Sequence, residues 1–170
     1  MKMCSVFRAL WLGAVCGLTA LGSGCVEILA PVHVEIPLDL SKAGNTVEAE
    51  FRTWVEDIYS LELEFLSLTG DAIHSKELNG YLRDKGDKGG TIIPLHISIW
   101  KISGKDREIV HDMIVFTEGV SGETLEALQR DVTSFSICPG KYQISVTNLE
   151  NHKVPDGFKV LLFLHYALHK

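Results

Sequence analysis

Alternation of apolar and polar residues with a period of two constrains this chain more than any other feature. In residues 32–40, VHVEIPLDL, the side chains of Val32, Val34, Ile36, Leu38 and Leu40 fall on one face, and His33, Glu35, Pro37 and Asp39 on the other. Successive side chains of a β-strand point to opposite faces, so such a run is a strand with one buried side. Pro37 has no N–H for a ladder, which predicts an edge strand. In 46–66, Val47, Ala49 and Phe51 alternate with Glu48, Glu50 and Arg52, and Tyr59, Leu61, Leu63 and Phe65 with Ser60, Glu62 and Glu64. Phe51, Trp54, Val55 and Ile58 also fit a helical stripe. The longer alternating runs on either side favour two strands with a bend near Glu56 and Asp57.

Further on, Ile93, Leu95, Ile97 and Ile99 alternate with Pro94, His96, Ser98 and Trp100, and the turn SGKDRE leads into IVHDMIVF, a predicted hairpin. A second hairpin is predicted where VTSFSI and YQISVTNL flank Cys138, Pro139, Gly140 and Lys141. The last run, FKVLLFLHYALH, is apolar on both faces and belongs inside the fold. Helix is expected at 71–84, with Ile73, Leu78, Tyr81 and Leu82 on one side and Gly80 weakening it, and in a turn or two at 121–131 after Ser121. A loop, KGDKGG, separates the first helix from the next strand. Short strands, Gly- and Pro-containing turns and few helices predict a mainly β chain. The expected form is an antiparallel β-sandwich of Ig-like or Greek-key type with one or two short helices, and a partly open barrel is the alternative.

The first 24 residues have a different character. Lys2 and Arg8 give a positive start, ALWLGAVCGLTAL an apolar run, and Gly22, Ser23 and Gly24 a small-residue exit before Cys25. This resembles a bacterial lipoprotein signal, in which a cysteine thiol receives diacylglycerol and becomes the mature N-terminus; Gly22 stands where an aliphatic residue is usual. The resemblance implies a cleaved signal at 1–24, a lipid-anchored tether at 25–30 and a β-sandwich domain at 31–170. An uncleaved anchor over the 18 uncharged residues Ala9–Val26 and an ordinary secretory signal are the competing readings. Cleavage removes Lys2 and Arg8 and moves the formal charge from −6 to −8. An acidic balance argues against nucleic acid as a partner, because phosphate contacts need clustered Lys and Arg. With Cys4 and Cys16 removed and Cys25 acylated, Cys138 is the remaining thiol, expected as a small buried hydrophobe. Were Cys25 to keep its thiol, a Cys25–Cys138 bridge would compete.

Chemistry-bearing patterns are sparse. Seven histidines are present, but His165 and His169 on a strand stand roughly 13 Å apart. No HExxH, paired cysteine spacing or Asp-rich loop occurs, and neither metal nor cofactor is expected. GVSGE departs from a nucleophile elbow at Glu123, and GDKGGT lacks the ending of a phosphate loop. The chain therefore reads as a non-enzyme. Trp54, Tyr81 and Trp100 are the candidate partner-binding anchors, weighed against simple filling of the sandwich or its rim. The acidic run Glu48, Glu50, Glu56, Asp57, Glu62 and Glu64 is a solvated outer face or a patch for a basic partner.

The stretch from Thr91 to Tyr166, with IPLHISIWKI and a Pro-Gly-Lys-Tyr turn (Pro139, Gly140, Lys141, Tyr142) leading to Val146, Asn148 and Leu149, resembles small bacterial β-sandwich lipoproteins catalogued as a domain of unknown function. YSLELEF at 59–65 is similar to an earlier strand of that family. The resemblance implies the fold and the export route and supplies no catalytic residues. With Val26 after Cys25, it further implies the periplasmic leaflet of the outer membrane. The expected role is a cell-envelope lipoprotein with a non-catalytic protein-binding domain, held to the membrane by its lipid. The alternatives are a periplasmic immunity protein against a secreted toxin such as a lipase, and an envelope hydrolase.

Overall fold

The computed structural model describes residues 32–83 and 90–167. The predicted signal, the tether with Cys25, most of the 85–90 loop and His169 lie outside them. Among the described residues the elements run β1 (His33–Pro37), β2 (Thr46–Thr53), β3 (Asp57–Ser67), α1 (Lys76–Leu82), β4 (Ile93–Ser103), β5 (Asp106–Thr117), β6 (Gly122–Glu123), β7 (Ala127–Ile137), β8 (Gly140–Asn148) and β9 (Phe158–Tyr166). They make two antiparallel sheets: sheet A in the order β1-β9-β3-β7-β6 and sheet B in the order β2-β8-β4-β5. The chain is mainly β, and the apolar faces of both sheets share one core, the arrangement of a β-sandwich.

The alternation sets that core. Tyr59, Leu61, Leu63 and Phe65 of β3 and Leu162 and Leu164 of β9 face Leu95, Ile97 and Ile99 of β4 and Ile144 and Val146 of β8, all buried. Each such aliphatic or Phe side chain contributes roughly 1.5–3 kcal/mol when fully removed from water. β1 is the expected edge strand ending at Pro37, and β9, apolar on both faces, is paired on both sides by β1 and β3. The bend at 54–56 carries the chain from β2 in sheet B to β3 in sheet A. β4 and β5 form the expected hairpin, closed by Gly104 and Lys105 between paired Ser103 and Asp106; Gly104 has φ 64°, which suits such a two-residue turn.

Two expectations are corrected. Residues 138–141 do not close a hairpin: β7 pairs with β3 in sheet A, and β8 pairs with β2 and β4 in sheet B. Pro139 and Gly140 reverse the chain, but the reversal crosses the core, and Cys138 is half-buried in that crossing. The Cys138 carbonyl accepts bonds from Tyr142 Oη at 2.8 Å and Thr53 Oγ1 at 2.8 Å, which ties the crossing to β8 and β2. The second correction is at 121–131, where no helix forms. β6 and the start of β7 occupy the segment, because Leu128 and Arg130 pair with Phe65 and Leu63 on the inward face of sheet A. The long-range ladder overrides a local helical pattern.

α1 is shorter than the 71–84 expectation. Ser75 caps it, its Oγ accepting from the Leu78 amide at 3.2 Å, and Leu78 and Leu82 are buried. Arg130, also buried, closes this end of the sandwich. Its guanidinium donates to the carbonyls of Leu82 (2.9 Å), Thr91 (2.6 Å), Thr117 (3.4 Å) and Gly119 (2.7 Å). One side chain on sheet A thus satisfies the end of α1, the entry to β4 and the exit of β5. Asn148 does similar work between the β1–β2 and β8–β9 loops, its Nδ2 donating to the carbonyls of Leu40 (3.0 Å), Lys42 (3.2 Å) and Glu150 (2.5 Å). No helix among the described residues is long and apolar enough to cross a membrane.

Candidate functional site

The outer face of sheet B is a grid that the pairing registers spell out. From the α1 end, its rows across β4 and β5 are Pro94–Phe116, His96–Ile114, Ser98–Asp112, Trp100–Ile109 and Ile102–Arg107. Across β8 and β2 the same rows continue as Thr147–Thr46, Ser145–Glu48, Gln143–Glu50 and Lys141–Arg52, beginning at His96. The β2 half is polar and internally bonded. Gln143 Nε2 donates to Glu48 at 2.9 Å, Lys141 pairs with Glu50 at 2.5 Å, and the Thr46 and Thr147 hydroxyls meet at 2.8 Å. The β5 half is apolar and open: Phe116 is 67% exposed, Ile114 57% and Ile109 51%. Trp100, half-buried, lies beside Ile109.

At the centre of this half, Ser98 Oγ donates to Asp112 Oδ1 at 2.7 Å, and His96 Nε2 lies 2.8 Å from the same oxygen. These bonds, Ser98 first, hold the Asp112 carboxyl below the usual carboxylate range, so it stays ionised. An ionised carboxylate only accepts, so His96 Nε2 carries the proton of that contact. Ser, His and Asp therefore meet in the wrong order for nucleophilic catalysis. A triad needs the imidazole between hydroxyl and carboxylate to take the serine proton; here the carboxylate stands between the other two. What the trio provides is a fixed, charged acceptor among apolar neighbours.

The three expected anchors separate. Trp54 follows β2 at the end of sheet B away from α1, 41% exposed, with the Arg52 guanidinium 4.4 Å from its ring centroid. Trp100 lies on the open half just described. Tyr81 turns inward instead: its ring meets Phe65 edge-on at 6.3 Å, and burial pushes its hydroxyl up from the ordinary phenol value. Its ring packs partly against the core, and it stays half-buried at the α1 end of the sandwich. The acidic run also divides. Glu48 and Glu50 are on the outer face of sheet B and Glu62 and Glu64 on that of sheet A, because the chain changes sheets between them. No three His, Cys, Asp or Glu side chains among the described residues are grouped to hold a metal.

An open groove of about 370 Å³ lies elsewhere, between the chain after β1 and the β8–β9 loop, lined by Leu38, Asp39, His152, Lys153, Phe158 and Lys159 among others. His152 is buried, its Nε2 has no hydrogen-bond partner, and burial lowers its affinity for a proton.

Ile109, Ile114, Phe116 and Asp112 were not singled out by sequence. IVHDMIVF reads as one half of a hairpin, and its apolar residues on both faces carried the signal. What makes them a surface is that β5 ends its sheet, which is a fact of strand order.

A family model described as a domain of unknown function (DUF5625) matches residues 35–166. None of the curated proteins matches the chain. Among solved structures, the crystal structure of a protein from Sulfurospirillum deleyianum is 25% identical, with 82% of this chain and 100% of that chain covered and a TM-score of 0.68; the two share a fold. A family GH115 4-O-methyl-α-glucuronidase, BtGH115A, is 14% identical over 80% of this chain and 14% of its own, at a TM-score of 0.36. The cowpea mosaic virus top component is 8% identical over 91% of each chain, at 0.31. Neither of these last two likenesses bears on function.

Proposed function

The chain belongs to the DUF5625 family, and we propose that it is a cell-envelope lipoprotein, anchored through Cys25 at the periplasmic face of the outer membrane, whose non-catalytic domain docks a protein partner on the outer face of sheet B. The observation that carries this reading is the exposed row Phe116, Ile114 and Ile109 beside Trp100. Exposed apolar side chains grouped on either side of one fixed carboxylate, Asp112, and rimmed by charges such as Arg107 and Glu50, are a composition suited to a protein interface. The strand order, with β2 and β3 and again β7 and β8 divided between sheets, supports a Greek-key sandwich of the Ig-like type. The basic start, apolar run and Gly-Ser-Gly exit before Cys25 support the anchor.

A photo-crosslinking amino acid placed at Phe116 or, as the contrast, at Glu64 tests the docking face in intact cells. An adduct from position 116 and none from 64 is expected. Adducts from 64 alone would transfer the reading to sheet A. Intact-mass spectrometry of protein from the native host tests the anchor: Cys25 as an acylated N-terminus is expected, and a retained signal or bare thiol would overturn it.

One observation favours a second reading, the immunity protein. Glu35, Glu62, Glu64 and Asp131 lie on the outer face of sheet A, in two neighbouring rows of the register, where a basic toxin would meet negative charge. Its test is whether cells lacking the gene become sensitive to a secreted toxin encoded beside it. Full resistance would remove it.

A further inference from the structure

The four strands that end the two sheets are not alike. A free edge presents unpaired N–H and C=O groups, and proteins protect such edges with shortness, proline, charge or bulges. β1 has five residues and ends in Pro37; β6 has two; β2 alternates Glu48, Glu50 and Arg52 along its outer face. β5 has twelve residues, and its two halves differ. From Asp106 to Val110 it carries Asp106, Arg107 and Glu108, and the register slips at Ile99/Trp100, so Val110 is a bulge that twists the edge. From His111 to Thr117 the pairing with β4 is regular, Ile114 and Phe116 are exposed, and Asp112 is the one acidic side chain.

Asp112 is also prepared for a partner. Ser98 and His96 both bind its Oδ1 and fix the carboxylate, while no described residue donates to Oδ2. The segment His111–Thr117 holds Asp112 and no Lys or Arg, so a second copy of it laid alongside offers the carboxylate neither, whereas a strand with Lys or Arg complements it.

We propose that the docking partner adds a strand to the edge of β5 along His111–Thr117, with apolar or β-branched residues beside Ile114 and Phe116 and a Lys or Arg against Asp112 Oδ2. This rests on the reading of sheet B as the docking face and adds the mode, backbone hydrogen bonding at a sheet edge with side chains supplying selectivity. The apolar pair covers what β5 leaves exposed, and the cation adds a charge-assisted bond to an acceptor already held in place.

The test uses the full-length protein in detergent micelles and the capped peptide Thr-Val-Thr-Val-Thr-Lys-Thr, which set antiparallel puts its valines beside Phe116 and Ile114 and its lysine beside Asp112. Amide hydrogen exchange is followed residue by residue. Slowed exchange in β5 between His111 and Thr117 is expected, with affinity falling about tenfold for Asp112→Asn or for a peptide with Glu in place of Lys. An N-methylated peptide that cannot pair through its backbone should not protect these amides. Shifts of side chains on the outer face without protection of β5 amides would overturn strand addition and leave the docking face standing. Absence of binding would overturn strand addition, with the crosslink from position 116 deciding the docking face separately. Self-association that protects β5 without peptide would assign the edge to a second copy and overturn the heterologous partner.

Discussion

The outer faces of the two sheets follow the same period-two pattern and end in opposite states. On sheet A the rows are His33–His165–Ser60–Ser134, Glu35–Phe163–Glu62–Asp131 and Pro37–Leu161–Glu64–Gln129. Its polar groups find each other: His165 Nε2 lies 3.0 Å from Glu62, His33 3.0 Å from Glu35, and the Ser60 and Ser134 hydroxyls meet at 3.1 Å. Sheet B has such bonding across β2 and β8 and, on its β5 side, only in the Ser98–Asp112–His96 trio, around which Ile109, Ile114 and Phe116 stand exposed. Both inner faces supply buried side chains to the one core, so the contrast between the sheets lies in their outer surfaces. Stability is therefore expected to respond to residues that join the sheets, and binding to those on the open half of sheet B.

The largest effect tests the first part of that contrast. Arg130→Met removes a buried guanidinium and leaves carbonyls of Leu82, Thr91, Thr117 and Gly119 without their donor. A loss of roughly 3–5 kcal/mol is expected, measured by urea denaturation. Because Arg130 on sheet A contacts the entry and exit of the β4–β5 pair, circular dichroism and tryptophan fluorescence should give one coincident transition. Two separated transitions would mean that the sheets unfold independently and break the comparison.

Asn148→Ala comes next. Its amide serves three carbonyls in two loops, and its own backbone N–H and C=O bond Asn45 and Gly44, so truncation should cost about 1–3 kcal/mol. Neither effect should weaken a partner peptide at β5 under conditions where the variant stays folded.

How far these residues were legible differs for a physical reason. Pro37, the bend at 54–56 and the Ser103–Asp106 turn act within a few residues of chain, and the alternation shows them directly. Asn148 and Tyr142 were visible as part of a recurring turn and strand, though their work is seen only in the loops they tie. Arg130 was invisible: a lone arginine in ETLEALQRD suggests the wet side of a helix, and only the ladder to Leu63 turns it inward. The crossing at 138–141 was misjudged because proline and glycine encode a reversal of direction and not the identity of the strand's partner. The open face of β5 was missed likewise, since edge status depends on where β4, β7 and β8 come to lie.

A smaller effect is set by pH. Burial lowers the proton affinity of His152 in the folded chain, while the unfolded imidazole titrates near the ordinary value of about 6.5. Between those values the unfolded state binds more protons, so stability rises with pH. The contribution is complete above about pH 6.5 and is lost as pH falls toward the depressed folded value. The urea midpoint should therefore drop between pH 7.5 and 5.5, and His152→Gln should flatten that drop. Asp39 and Asp112, held low by bonds from Ser41 and from Ser98, act in a separate, more acidic window. A slope unchanged in the His152 variant would rule out His152 as its origin.

The smallest expected change in stability separates the two faces most sharply. Ile114 and Phe116 already stand largely in water, so replacing both with Lys removes little buried area and opens no cavity. The free energy of unfolding should change by no more than about 0.5 kcal/mol per site. Crosslinking from a photo-reactive residue placed at Ile109, on the same face, should nevertheless disappear, because two charges now occupy the surface that an apolar strand must cover. The matching control lies on sheet A: Glu64→Lys, beside Gln129, should be similarly mild for the fold and leave that crosslinking intact. If the lysines on β5 instead unfolded the chain, Phe116 and Ile114 would belong to its packing, and the distinction between a satisfied face and an unsatisfied one would fail.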